Sequence, residues 1–207
     1  MSGYFSQRIQ KRFVFLLFIL TLVVFSAYTG VRWYKDSTPG DYEVREGDIK
    51  LSDGDYQEAI EKFELALTAQ PDHRGALHGK AAALIMLERY DEAEAVLSYL
   101  IDYLIETLED DDPTGIGALS AAYTNRGIIK DRHGRHQEAY EDYVKSVKID
   151  YEIADGPSWI EHLLYYDHEP SSALKRAQYL YIQFQLPEAE RVLTLPERDD
   201  AQRMYKP

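Results

Sequence analysis

The sequence predicts an all-α chain: a solenoid of stacked helical hairpins behind one long apolar helix. Three observations lead there. The phrases Gly54-Asp55-Tyr56-Gln57-Glu58-Ala59, Glu88-Arg89-Tyr90-Asp91-Glu92-Ala93 and Gly134-Arg135-His136-Gln137-Glu138-Ala139 recur, with Ala59 and Ala93 standing 34 residues apart. That interval is a helix-turn-helix repeat period. Ala59, Ile60, Phe63, Ala66 and Leu67 fall at the three- and four-residue spacing of one buried helical face. Finally, Phe13 to Tyr28 reads FVFLLFILTLVVFSAY without a charge.

The apolar helix comes first. A basic tail, residues 1–12, precedes an anchor over residues 13–33, and a linker follows over 34–41. About 20 apolar residues cross a hydrocarbon core as a helix whose backbone groups are all paired internally. Trp33 and Tyr34 sit where an interfacial aromatic belt is expected, and Arg32 snorkels to the headgroups. A cleaved signal peptide starts in the same way but needs small residues one and three positions before the cut. Phe25 before Ala27 and Tyr28 before Gly30 fail that requirement, so an uncleaved anchor is expected. Arg8, Lys11 and Arg12 point the N-terminus into the cytoplasm and the remainder into a periplasm.

The hairpins fill residues 42–195. The first unit, about 42–73, places helices at Tyr42–Leu51 and Asp55–Ala69 around the turn Ser52-Asp53-Gly54, with Pro71 just beyond. The second, about 75–108, carries Ala81, Leu84, Tyr90, Ala93, Leu97 and Leu100, and its second helix runs on to Leu108. An acidic loop, Glu109 to Gly115, follows. The third unit, about 116–151, carries Tyr123, Gly127, Ala139 and Tyr143; Ala139 lies 46 residues after Ala93, a 12-residue insertion that the longer helix and the loop absorb. A short capping helix is expected over Ser158–Tyr166. A degenerate fourth unit over 170–195 rests on Ala177, Leu180, Ala189 and Leu193, and residues 196–207 read as an irregular tail.

Gly47, Tyr56, Ala59, Phe63, Ala66 and Pro71 together resemble the tetratricopeptide repeat pattern in kind and order. The resemblance covers roughly residues 41–195. It implies a right-handed superhelix whose first helices line a concave groove that binds protein segments. On that geometry the partner-binding groove is Asp48 and Leu51 from the first unit, His78, Ala82, Ile85 and Met86 from the second, and Thr124, Asn125, Ile128 and Asp131 from the third. This mixed apolar and acidic lining suits a basic or amphipathic segment. Members of the family that clamp a chaperone's C-terminal carboxylate use Lys, Asn and Arg at fixed groove places. Here those places hold Val44, Asp48, Gly79, Ala121 and Asn125, so that mode is not expected.

Charge and composition narrow the function further. Residues 1–35 hold five basic residues and no acid, leaving 18 basic and 36 acidic residues in the rest of a chain of net charge -13. Such an acidic surface repels phosphate backbones and anionic lipid headgroups, so nucleic acid is not an expected partner. The absence of cysteine excludes disulfides, thiolate metal sites and cysteine lipidation. His133-x-x-His136 lacks further ligands, and His136 occupies the place of Tyr56 and Tyr90, which predicts helix packing. His162 and His168, near Glu161 and Glu169, are read as part of the capping helix rather than as a metal site. Pro113 interrupts the oxygen-ligand series that a calcium loop needs. There is no phosphate loop, nucleophile elbow or His-Glu-x-x-His motif. The expectation is a non-enzymatic, cofactor-free scaffold or assembly factor at the outer face of a bacterial inner membrane. The alternative is an accessory subunit of a larger membrane complex.

Overall fold

The structure is a computed structural model and describes residues 7–36, 38–109, 111–151 and 172–195. The expected capping helix (158–166), His162, His168 and the tail 196–207 lie outside the described residues. The chain divides into two compact units, Met1–Pro39 and Gly40–Pro207. Among the described residues every regular element is helical.

The first unit holds α1, Gln7–Asp36. Its segment Ile9–Arg32 has a mean hydropathy of 2.4 and none of it is buried. At 1.5 Å per residue those residues span about 36 Å, enough to cross a hydrocarbon core. Thr21 and Thr29 donate their hydroxyls to the Leu17 and Phe25 carbonyls at 2.8 and 2.9 Å, so these two polar side chains are satisfied by the helix itself. A signal sequence has the same profile.

The second unit begins with three antiparallel hairpins. They pair α2 (Asp41–Asp53) with α3 (Tyr56–Ala69), α4 (Arg74–Met86) with α5 (Tyr90–Thr107), and α6 (Pro113–Arg132) with α7 (His136–Ile149). Each hairpin turns on a residue in the left-handed region: Gly54 at φ 84°, Glu88 at φ 58° and Gly134 at φ 73°. Glycine takes that conformation without steric cost, and Glu88 takes it because the repeat geometry demands the same turn there. The second helix of each pair also packs on the first helix of the next, α3 on α4 and α5 on α6.

Packing explains the recurring small and aromatic residues. Ala59, Phe63, Ala66, Ala93, Leu97, Leu100 and Ala139 are 0 % exposed and Tyr143 is 1 % exposed. A methyl placed on Gly127 would lie 2.7 Å from the Tyr143 ring, so helices α6 and α7 approach as closely as glycine permits. One apolar core runs from Val44 in α2 to Ile129 in α6, and a second joins α6 and α7 to a further helix, α8 (Ala173–Gln185).

Two local expectations change. Residues 113–115 are the first turn of α6 rather than loop: Pro113 stands where a missing N–H costs nothing, and the Asp112 carboxylate accepts from the Gly115 N–H at 2.8 Å. The fourth unit has a first helix, α8, but no second helix among its described residues. Residues 186–195 make a single 3-10 turn at Glu188–Glu190 and then continue without regular structure. Their backbone is held by side chains instead. Tyr179 donates to the Val192 carbonyl at 2.6 Å, Arg176 to the Leu193 carbonyl at 2.8 Å, and the Val192 N–H donates to Gln183 Oε1 at 2.8 Å.

Candidate partner-binding surface

The first helices α2, α4 and α6 are neighbours, α2 against α4 and α4 against α6. The ten expected groove residues all lie on these three helices, but they are not equally accessible. Met86 is 45 % exposed, while Asp48 and Leu51 are half-buried. His78, Ala82, Ile85, Thr124, Asn125, Ile128 and Asp131 are buried, none above 7 % exposed. The expectation that these seven present their side chains to solvent is therefore corrected. Several are consumed by contacts between helices that no sequence spacing announces.

His78 is one of these. Its Nε2–H donates to the Ala118 carbonyl of α6 at 2.8 Å, and its Nδ1 has no hydrogen-bond partner among the described residues. Burial pushes the imidazole down from its ordinary 6.5 to about 4, against the opposing pull of the Ala118 hydrogen bond. The ring is therefore neutral when folded. The unfolded chain takes up a proton near pH 6.5 that the folded state refuses until about pH 4. The stability this represents is fully present above pH 6.5 and drains away as pH falls toward 4. Between about pH 7.5 and about pH 5 the loss from this group is expected to be roughly 2 kcal/mol. Urea unfolding of the wild type and His78→Gln at both pH values checks it; equal pH dependence in the two proteins would contradict the assignment.

Asp131 forms a second buried system. Arg176 of α8 donates to it through Nε at 2.5 Å and Nη2 at 2.9 Å, Tyr143 of α7 donates its hydroxyl at 3.3 Å, and His136 Nδ1 lies 2.7 Å away. The expected packing role of His136 thus takes the form of a polar contact with α6. His133 makes an edge contact with the Tyr90 ring, 5.2 Å between centroids. A histidine beside an aspartate suggests acid–base chemistry, yet the Asp131 side chain is only 1 % exposed and is shared with an arginine. It holds three helices together.

Around Asp142, which no sequence expectation singled out, a third system forms. Arg126 donates to it from Nε and Nη2 at 2.8 and 2.9 Å, and Lys130 from Nζ at 2.7 Å. A signal was present: Ala139, Asp142, Tyr143 and Ser146 share the buried stripe of α7, and an acid on such a stripe requires a buried cation. Arg126 also donates to Ser98 of α5 at 3.1 Å, tying the second unit to the third. Between the same two units the Arg135 guanidinium of the α7 turn pairs with Glu94 of α5 and holds its carboxyl below the ordinary range. Thr124 and Ser146 share a hydroxyl contact at 2.7 Å. Among the described residues no three His, Cys, Asp or Glu side chains are placed to hold a metal ion.

Helical hairpins stacked through small residues and aromatics define a repeat architecture. Residues 50–102, from the end of α2 through most of α5, match the family model of the tetratricopeptide repeat. Such repeats are protein-interaction scaffolds. No curated protein matches the chain.

Proposed function

We propose that this protein is a membrane-anchored, non-catalytic scaffold or assembly factor that holds a protein partner at the outer face of a bacterial inner membrane. The observation that carries this is the pairing of a match to the tetratricopeptide repeat with an apolar helical segment, Ile9–Arg32, none of which is buried by protein. The large apolar side chains from Ile9 to Val31 are 42–66 % exposed. That much apolar surface is stable only when covered, and lipid is the solvent that fits a 24-residue span. Arg8, Lys11 and Arg12 before the span, against Arg32 and Lys35 after it, favour a periplasmic array.

Partner contact rests on Met86, Leu51 and Asp48, the groove positions that keep solvent access, with the seven buried groove residues shaping the surface from beneath. An acidic array favours a basic or amphipathic segment. Fixing the scaffold to a membrane raises its effective concentration toward partners in the same plane. The test is fractionation with a topology reporter. After alkaline washing the full-length chain is expected in the membrane pellet, and alkaline phosphatase fused after Pro207 is expected to be active. A shortened chain in the soluble fraction, or an inactive C-terminal fusion, would overturn the proposal.

A further inference from the structure

We propose that the apolar slot between α7 and α8 is the seat of this chain's own residues 158–166, which enter it as an amphipathic helix in the place of a second helix for the fourth unit. The inference goes beyond the scaffold reading and does not depend on the anchor.

The slot follows from the repeat. In each hairpin the second helix packs on the first: α3 on α2, α5 on α4 and α7 on α6. After α8 no second α-helix follows among the described residues. Arg176, Tyr179 and Gln183, which hold residues 192 and 193, lie on one stripe of α8. Leu174, Gln178 and Tyr181 lie on the opposite stripe, so the chain beyond α8 leaves that side uncovered. There a cavity of about 460 Å³ is lined by Tyr140, Val144 and Val147 of α7 and by Leu174, Tyr181 and Ile182 of α8. Tyr181 and Ile182 are 55 % and 59 % exposed. In the earlier units the corresponding places on the second helices are covered. Ile60 follows Ala59 as Tyr140 follows Ala139, and Ile101 precedes Val147 by the interval that separates Ala93 from Ala139. Ile60 and Ile101 are 3 % and 2 % exposed, whereas Tyr140 and Val147 are half-buried.

Chain length and chemistry name the occupant. The α3–α4 and α5–α6 links, residues 70–73 and 108–112, are four and five residues long, whereas the α7–α8 link, residues 150–172, has 23. It leaves α7 just after Val147 and enters α8 just before Leu174, so both its ends stand at one mouth of the slot. Tyr140 meets Phe184 at the other end, 5.7 Å between ring centroids. Within the link, Trp159, Ile160, Leu163 and Leu164 stand at the three- and four-residue spacing of one helical face, between Pro157 and Pro170. Residues 158–166 as a helix are about 13 Å long, and the α8 side of the slot, from Leu174 to Ile182, runs about 12 Å. Residues 150–157 reach about 27 Å and 167–172 about 20 Å, so the helix fits in either direction. Seating it removes both apolar surfaces from water. Charge agrees. Residues 150–172 carry Asp150, Glu152, Asp155, Glu161, Asp167 and Glu169 and no Lys or Arg. The exposed charges of α7 and α8 are Lys145, Lys148 and Lys175 against Glu138 and Glu141, and Glu138 is held by Arg135 at 3.5 Å. Lys148 itself lines the slot. A basic flank of this kind suits an acidic helix.

Two measurements on the full-length protein in detergent micelles test this. The chain has no native cysteine, so Leu163→Cys with Gln178→Cys gives a single pair across the slot. Leu163→Cys with Glu61→Cys, exposed on α3, is the control. Under mild oxidation an intramolecular disulfide is expected several-fold faster in the 163/178 pair than in the 163/61 pair. Equal rates would overturn the inference. A disulfide formed between chains would assign the slot to a second copy and overturn it as well. The second measurement keeps the native stripe. Trp33→Phe leaves Trp159 as the one tryptophan. Acrylamide quenching of Trp159 is expected to rise several-fold when Ile182→Glu places a charge in the slot of a protein that still unfolds cooperatively. Quenching that Ile182→Glu leaves unchanged would show that Trp159 does not sit there. The slot would then be left to another protein's helix, contrary to the inference.

Discussion

Arg176→Ala is expected to destabilise the protein by about 3–5 kcal/mol, because it strands a buried carboxylate. The side chains of Arg176 and Asp131 are 3 % and 1 % exposed, so neither charge has bulk water to fall back on. Asp131→Ala is expected to cost a similar amount, stranding the guanidinium instead. Replacing both at once, Asp131→Leu with Arg176→Met, removes two desolvated charges together and is expected to recover much of the loss. Urea unfolding midpoints of the four proteins test this. Single variants within about 1 kcal/mol of wild type would show that the pair is solvated in solution and that α8 is not held through it.

Phe63→Ala is expected to cost about 3–5 kcal/mol, the range for truncating a fully buried aromatic. The site is unusually constrained. A methyl on Gly79 of α4 would lie 2.2 Å from Phe63 Cζ, and one on Gly47 of α2 would lie 2.6 Å from Cε1. The ring is thus held between the first helices of two successive units and has no free side to move toward. Gly79→Ala, which gains up to about 1 kcal/mol of helix propensity at an exposed site, is expected here to lose about 1–3 kcal/mol through overpacking. Combining it with Phe63→Leu is expected to cost less than the sum of the two single changes, since the smaller side chain makes room for the methyl. Thermal or urea unfolding checks both. Gly79→Ala more stable than wild type would contradict the close packing of α2, α3 and α4.

The hairpins were legible because their signals are local. Ala59 and Phe63, Ala93 and Leu97, and Ala139 and Tyr143 repeat one spacing on one helical face, and the same six side chains fill the cores. The start of α6 was misplaced because Pro113 and Gly115 carry loop propensities that the Asp112 cap overrides. The second half of the fourth unit was unreadable for a different reason. Leu186-Pro187-Glu188-Ala189 resembles the other turn-to-helix phrases, but the following backbone is satisfied by Arg176, Tyr179 and Gln183 on α8 rather than by its own helix.

The groove was legible as a set of helices, not as a surface. His78 finds its acceptor at Ala118, 40 residues on, and Asp131 finds Arg176 45 residues on. Neither pairing follows from periodicity. Helix position fixes which way a side chain points, while tertiary docking decides whether anything already stands there.

The central claim is recognition through the first-helix face of a membrane-tethered array, and in-cell photo-crosslinking tests it most directly. A photoreactive residue at position 86, where Met86 is 45 % exposed, is compared with one at position 61 on the exposed side of α3. The account predicts a discrete protein adduct from position 86 that is missing from position 61 and weakened by Asp48→Lys, which repels a basic segment. No adduct above the position 61 background, or an equal adduct from both positions, would contradict it.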